Sequence, residues 1–402
     1  MPKASEAPQQ LILDELQQEP ALAAFDAEAA ALLNSTGLVS VQPDMRGGWQ
    51  VLPAGRVGAV QVGDLLVQVR PKAKVGLDRL LFLLGYAQNP GFRPDDVAGA
   101  EEKDLFSALA ESLTRQGERA LARGALSGYI HVEEALRTVR GRIRVGDQIT
   151  RRPGMLLPLE VSFDEFTIDI PENRILRAAL RRMLQLPRLS PVQRGRLAHL
   201  DAKLDGVTLL RAGAPLPTWD ESRANAHYGP ALRLAEIILS NMSAETGLRR
   251  QRVASFVVNM ATVFEDFVTV ALREALTGVP GRTEGQYECF LDEPDGTRRS
   301  RVRMFADVVH VVDGKPAAVF DAKYKASSWS GYPNADQYQM LAYCTALSVP
   351  RAWLVYADAG QVRVRKVENA SVEIVEFPLD LSRAPKELLA VIKYLACRAV
   401  LG

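Results

Sequence analysis

The sequence predicts a multidomain α/β (α+β) protein, and three observations predict it. Short runs of alternating apolar residues crowd positions 39–70, strand and helix patterns interleave from about residue 284 to the C-terminus, and amphipathic helical stretches fill much of the interval between. At 402 residues the chain can build two or three domains, each with its own core.

The elements follow in order. Residues 1–38 read as a helical lead, rich in Ala, Leu and Glu and interrupted at Pro8 and Pro20. From Val39 to Arg70 the spacing of Val39, Val41, Trp49, Val51, Val57, Val60, Val62, Leu65, Val67 and Val69, broken by Gly47-Gly48 and Gly63-Asp64, predicts strands and hairpins. Helices are expected at Leu77–Tyr86 and Lys103–Arg123, strands over 126–170, and helices again at Glu172–Leu186 and Pro191–Leu204. Two prolines and a glycine in Arg211–Trp219 mark a linker. The expected division is therefore a lead at 1–38, an N-terminal region at 39–210 and a C-terminal domain at 220–402. In the last, 228–245 and 252–276 read as helices. Strands are expected near 284–291, 300–312, 316–324, 351–358, 361–367 and 371–377, with helices at 334–348 and 384–400.

Composition excludes several classes of function. A net charge of +1 argues against a protein that grips nucleic acid over its whole surface, so any contact with DNA must be local or lie in a partner. Cys289, Cys344 and Cys397 are far apart with no CxxC spacing, and four scattered histidines offer no histidine-rich metal site. Residues 1–18 carry acids and no long apolar run, unlike a signal peptide, and no stretch reaches the roughly 18 apolar residues of a membrane span. A cytoplasmic protein is expected. No GxxxxGK[ST] loop occurs, which assigns any nucleotide hydrolysis to another chain.

The chemistry concentrates in Arg301–Lys325. Asp313-Gly314 between two β-rich runs is a hairpin signal. Alternation places Asp321, Lys323 and Lys325 on one strand face and Phe320, Ala322 and Tyr324 on the other. Asp307, fourteen positions before Asp321, can be brought beside it by a hairpin of this length. Two converging carboxylates repel unless a cation lies between them, and an all-oxygen ligand set favours Mg²⁺. Lys323, one strand step away, can orient water or stabilise charge growing on phosphorus. A bare Asp-x-Lys is a common tripeptide, and a surface ion pair is its bland reading. Three further features weigh against that reading here. Both aspartates lie in apolar runs, Gln339 and Tyr343 share a face of the following helix, and Glu265 interrupts the apolar stripe of a helix expected at Phe256–Leu276.

These pieces resemble the PD-(D/E)xK nuclease superfamily in its RecB-like form with a Gln-x-x-x-Tyr helix, and more narrowly the McrC family. Leu65–Lys72 (LLVQVRPK), Leu83–Ala87 (LLGYA), Val139–Ile143 (VRGRI), Phe163–Arg174 ending in Pro-Glu-Asn-Arg, Phe264-Glu265, Asp307, Asp321–Lys325 (DAKYK) and Asp336–Met340 (DQYQM) carry the likeness, over roughly residues 40–345. Ala306 stands where the superfamily has Pro, and the lead has no counterpart. Neither departure removes a metal ligand.

The resemblance implies a C-terminal restriction-endonuclease-like domain that cuts double-stranded DNA, with Asp307, Asp321, Lys323, Glu265, Gln339 and Tyr343 at the catalytic site and Mg²⁺ on Asp307, Asp321 and Glu265. It also implies an N-terminal part that docks on a hexameric McrB-like AAA+ GTPase and stimulates it, the recognised modification being read by that partner. A non-catalytic adaptor of the motor and a stand-alone RecB-like nuclease are the alternatives.

Arg298, Arg299, Arg301 and Arg303, just before Asp307, are expected at the mouth of the cleft as phosphate contacts together with Lys325. The six arginines between Arg137 and Arg152, against the single acid Asp147, read equally as a phosphate or partner surface and as a solvated charge row. Lys72 and Lys74 read as surface lysines or partner contacts. His310 falls off the Asp307 face and is expected to be packed, not a ligand, while Trp329 and Tyr332 either stack near DNA or cover a core edge.

Overall fold

The computed structural model describes residues 10–45, 47–72, 75–90, 92, 104–211, 213–246, 252–293, 301–324 and 334–400. The chain forms two compact units, one of residues 1–100 with 246–402 and one of residues 101–245.

The first unit begins with β1 (Gln10–Asp14), β2 (Ala21–Ala23), α1 (Ala27–Thr36), β3 (Val39–Pro43), β4 (Trp49–Pro53), β5 (Val57–Val62), β6 (Leu65–Arg70) and α2 (Leu77–Gln88). The lead is thus not helical throughout. Leu11-Ile-Leu13 adds a strand in parallel to β6, Leu13 sinks into the core, and helix starts only at the Asp26 N-cap, whose side chain accepts the Ala29 N–H.

The second unit contains α3 (Leu105–Ala120), β7 (Gly128–Leu136), β8 (Arg142–Ile143), α4 (Val145–Arg151), β9 (Leu159–Thr167), α5 (Pro171–Leu184), α6 (Pro191–Lys203), α7 (Gly229–Asn241) and most of β10 (Met242–Thr246). Strands β7, β9 and β8 form one small sheet, in the order β7-β9-β8, while α3, α5, α6 and α7 pack on one another. The Pro-Glu-Asn-Arg segment opens α5 and serves the fold. Buried Asn173 donates to the Leu126 and Ile168 carbonyls, and Arg174 makes a two-pronged pair with Asp169 at 2.8 and 2.9 Å. The bonds from Arg174 hold the Asp169 carboxyl down at about 2.

The chain then returns to the first unit as β11 (Arg252–Val258), α8 (Met260–Ala275), β12 (Arg282–Phe290), β13 (Arg303–Val312), β14 (Lys315–Lys323), α9 (Asn334–Leu347), β15 (Arg351–Tyr356), β16 (Arg363–Lys366), β17 (Glu373–Pro378) and α10 (Pro385–Val400). The helix expected over 252–276 is therefore a strand followed by a helix. Val253–Val258 pairs antiparallel with β5, as its β-branched content favours, and Asn259 caps α8. The contact is close, since a Cβ on Gly58 (φ +137°) would lie 1.9 Å from the Phe256 carbonyl oxygen. Likewise the helix expected over 228–245 ends at Asn241, where β10 begins.

This β5–β11 pairing explains why the compact units differ from the expected boundaries at 39–210 and 220–402. The first 100 residues build their sheet, ordered β1-β6-β5-β11, partly from a strand some 200 residues downstream, and the stretch read as a linker, 211–219, lies inside the second unit.

The sheet that matters most runs β12-β13-β14-β15-β17-β16. Its β12-β13-β14 portion is antiparallel, whereas β14, β15 and β17 run parallel. One face packs on α9 through Val309, Val319, Met340, Tyr343 and Leu354, while α8 and α10 also pack on the sheet. Strand β14 is consequently buried from Ala318 to Ala322 on both faces, where alternation alone predicts one buried face.

Candidate active site

The β13–β14 hairpin forms as its sequence requires. Asp313 (φ +50°) and Gly314 (φ +77°) turn the chain between Val312 and Lys315, a two-residue connection with both central residues left-handed. A register shift between His310 and Val311 leaves Ala317 as an extra residue, and beyond it Val309 pairs with Val319 and Val308 with Phe320. The next step sets Asp307 opposite Asp321, and there the β13–β14 pairing ends, while β14 keeps pairing with β15 as far as Lys323 and Tyr356. The sheet forks at the two aspartates. Across the fork, Asp307 Oδ2 accepts the Ala322 N–H at 2.8 Å.

Asp307 is 9% exposed and Asp321 only 1%. Lys323 Nζ lies 2.5 Å from Asp321 Oδ2, and among the described residues Asp321 Oδ1 has no hydrogen-bond partner. A buried carboxylate oxygen left this way costs free energy, and a cation is the group that would satisfy it. Burial is the largest influence pushing both carboxyls up, to about 6, with the Glu265 charge adding for Asp307 and the Asp307 charge for Asp321. Burial works to lower the Lys323 pKa, but the Asp321 and Asp307 charges outweigh it and leave it raised. Lys323 therefore stays an ammonium at neutral pH and can donate hydrogen bonds but not accept a proton.

Glu265, on α8, is near enough to feel Asp321, Asp266 and Lys323, and burial raises its pKa first of all. It does not close a three-carboxylate set. Among the described residues no three His, Cys, Asp or Glu side chains stand close enough to hold a metal together. The Glu265 carboxylate accepts a hydrogen bond from Gln286, a residue of β12 with φ +50° that stands across from Asp307 in the register. A non-glycine residue held at positive φ beside the site is strained backbone of the kind found where a side chain must be aimed. Sequence reasoning missed Gln286, and the one available signal was the isolated Gly285 inside a strand pattern.

Gln339 and Tyr343 do share a face of α9, and they bond to each other. Gln339 Nε2 donates to the Tyr343 hydroxyl at 2.8 Å, and that hydroxyl donates to the Phe305 carbonyl at 2.5 Å. Tyr343, buried and with its pKa raised chiefly by that burial, ties α9 to β13 two residues before Asp307. Asp336, also buried, accepts from the Tyr356 hydroxyl at 3.1 Å and adds negative charge behind Asp321.

The basic candidates separate. Arg301 bonds the Asp292 carbonyl at 2.6 Å and lies over the Phe290 ring, while Arg303 sits 3.9 Å from Glu288 and over Phe305. Both hold the open end of β12–β13. Arg298, Arg299, Lys325, Trp329 and Tyr332 lie outside the described residues, as does Lys74. His310 is fully buried between Thr283 Oγ1 and the Pro280 carbonyl, as expected of a packed histidine. In the second unit the arginines of 137–152 meet acids that their own stretch lacks: Arg144 meets Glu133, Arg152 meets Glu160 and Arg140 meets Glu165.

Comparisons with known proteins bear on the whole chain. No curated protein matches it. Among solved structures, it is similar at 17% identity to a chain of the Thermococcus gammatolerans half-complex of McrB AAA+ hexamers with bound McrC. That match covers 96% of this chain and 99% of the other with a TM-score of 0.61, so the fold is McrC-like. The cryo-EM structure of the T. gammatolerans McrBC complex is matched at 18% identity over 67% of this chain and 88% of that one, with a TM-score of 0.42. Protein VC1899 of Vibrio cholerae is matched at 11% over 96% and 75%, with a TM-score of 0.28. The family described as McrBC 5-methylcytosine restriction system component matches residues 53–357, from the first sheet through the fork at Asp307 and Asp321, and on that span the chain belongs to this family.

Proposed function

We propose that this chain is the Mg²⁺-dependent nuclease subunit of its restriction system and hydrolyses phosphodiester bonds of duplex DNA at the fork between β13 and β14. One observation carries the reading: two buried aspartates face each other where strand pairing stops, one with an oxygen that no group among the described residues satisfies, beside a lysine that remains charged. Asp307 and Asp321 are the residues that would hold the metal, with Glu265 as the third carboxylate within electrostatic reach. A bound Mg²⁺ would supply Lewis acidity toward a phosphoryl oxygen and a bound water of lowered pKa.

The chain's own residues do the rest. Lys323 keeps its ammonium directed at the site and can hold an attacking water or a non-bridging phosphate oxygen, stabilising charge that grows as the bond breaks. The Ala322 N–H fixes the rotamer of Asp307, and Gln286 restrains Glu265. Asp321, then Asp307 and Asp336, keep Lys323 protonated. Arg299 and Lys325 stay assigned to duplex phosphates, whereas Arg301 and Arg303 serve the β12–β13 end through Asp292 and Glu288.

The partner assignment follows from the family and the neighbour. The T. gammatolerans chain of similar fold is bound to McrB AAA+ hexamers, and a near-neutral subunit that borrows its grip on DNA suits such an assembly. Asp321→Ala and Lys323→Ala are assayed with the McrB-type partner, GTP, Mg²⁺ and modified duplex DNA. Cleavage should fall by about a thousandfold while GTPase stimulation persists. Cleavage at the wild-type rate in either variant would sink the assignment. A wild-type chain that stimulates GTP hydrolysis but cuts no DNA would make it an adaptor.

A further inference from the structure

Pro71-Lys72 follows β6 and Glu15 follows β1, and the parallel register that sets Asp14 beside Arg70 delivers both to the same end of the first sheet. There the Glu15 carboxylate accepts the Lys72 backbone N–H at 3.2 Å and the Tyr324 hydroxyl at 3.1 Å. The Lys72 ammonium lies 4.2 Å from the centroid of the Tyr324 ring and donates to the Ala357 carbonyl at 2.5 Å, a contact 285 positions away in sequence. Ala357 in turn donates its N–H to the Lys323 carbonyl at 3.1 Å. The Tyr324 ring also meets Phe264, at 6.2 Å between centroids. Tyr324 is covalently next to Lys323, and Phe264 is next to Glu265.

A half-buried ammonium over an aromatic face, bonded to one carbonyl, is neither a solvated surface lysine nor one left available to a partner. Its contacts reach Tyr324, next to Lys323, and Ala357, whose N–H bonds the Lys323 carbonyl; only through the Tyr324 ring do they reach Phe264, next to Glu265. We infer that Lys72, with Glu15 and Tyr324, is a positioning clamp: it fixes where β14 leaves the sheet and thereby where the Lys323 ammonium stands at the scissile phosphate. This deepens the nuclease reading above and rests on it. Lys72 touches no reacting atom and acts through the backbone of Lys323, where a displacement of about 1 Å can cost up to a hundredfold in rate.

The test uses the full chain with its McrB-type partner, GTP, Mg²⁺ and modified duplex DNA. Lys72→Met keeps the stem and removes the ammonium. It should lower kcat for cleavage by about tenfold or more while leaving the KM for DNA and GTPase stimulation at wild-type values, and Lys72→Arg should recover most of the loss. A residue that only supports folding would lower kcat, GTPase stimulation and melting temperature together, and that pattern overturns the clamp. So does wild-type kcat in Lys72→Met. Should Lys72→Met not fold, Tyr324→Phe, which removes only the hydroxyl held by Glu15, decides in the same way: a lowered kcat supports the clamp and a wild-type kcat overturns it. Asp321→Ala, run in parallel, separates the two levels. If it still cuts, the nuclease reading fails. If it is dead while Lys72→Met is wild type, only the clamp fails.

Discussion

At the scale of single residues, Asp321 shows what a buried carboxyl costs the fold. Its folded-state pKa, about 6, lies above the ordinary carboxylate value, so the protonated form is the one the fold prefers. Stability from this group is fully present below its unfolded pKa near 4 and is lost as pH rises through about 6. Asp307 behaves in the same sense. Metal-free protein should therefore lose melting temperature between about pH 4 and pH 7, and Mg²⁺ should restore it at pH 8 but not at pH 4. Asp321→Asn, which mimics the protonated acid, should raise metal-free stability at pH 8 by up to about 2 kcal/mol and abolish the Mg²⁺ response, as read by thermal melts with and without the ion. A variant that melts lower than wild type at pH 8 without metal would contradict this account of the pair.

At the scale of elements, α9 and β13 depend on one hydroxyl. Tyr343→Phe keeps the packing of the ring but leaves the Phe305 carbonyl and the Gln339 amide without their shared partner. About 1 to 2 kcal/mol of stability should go, by urea denaturation, since a buried carbonyl loses its bond. Cleavage should also slow, because Asp307 is two residues along the strand that this bond anchors. Unchanged stability would show that the hydroxyl bonds are not formed in solution. The element scale is also where sequence reading did best and worst. The hairpin at Asp313-Gly314 and the helices α9 and α10 were legible because their signals are local: a turn dipeptide and a helical period. Strands β1 and β11 were not. Each is a strand because a partner distant in sequence pairs with it.

At the scale of the whole molecule, charge decides how DNA is held. The net charge is +1, and the arginine-rich stretch of the second unit is partly offset by Asp147, Glu133, Glu160 and Glu165. The isolated chain should bind duplex DNA weakly, with a Kd above about 1 μM at 0.15 M salt and a shallow salt dependence, and the McrB-type partner should tighten it. Fluorescence anisotropy across a salt series checks this; nanomolar binding by the chain alone would favour a stand-alone nuclease.

By itself the sequence determined the chemistry of the candidate site. Alternation groups Asp321 with Lys323 and one turn brings the Asp307 strand back against theirs, because β geometry converts a spacing of two into a shared face. The register shift between His310 and Val311 then sets Asp307 opposite Asp321, where an unbroken ladder from Val312 and Lys315 would set it opposite Phe320. Tertiary structure alone decided what surrounds them. That β14 is buried on both faces, that Gln286 restrains Glu265, that Tyr343 bonds Phe305, and that Lys72 reaches Ala357 all depend on which distant segments pack together. Composition and period carry no record of such contacts, since any residue of the right size and polarity reads the same until the chain has closed upon it.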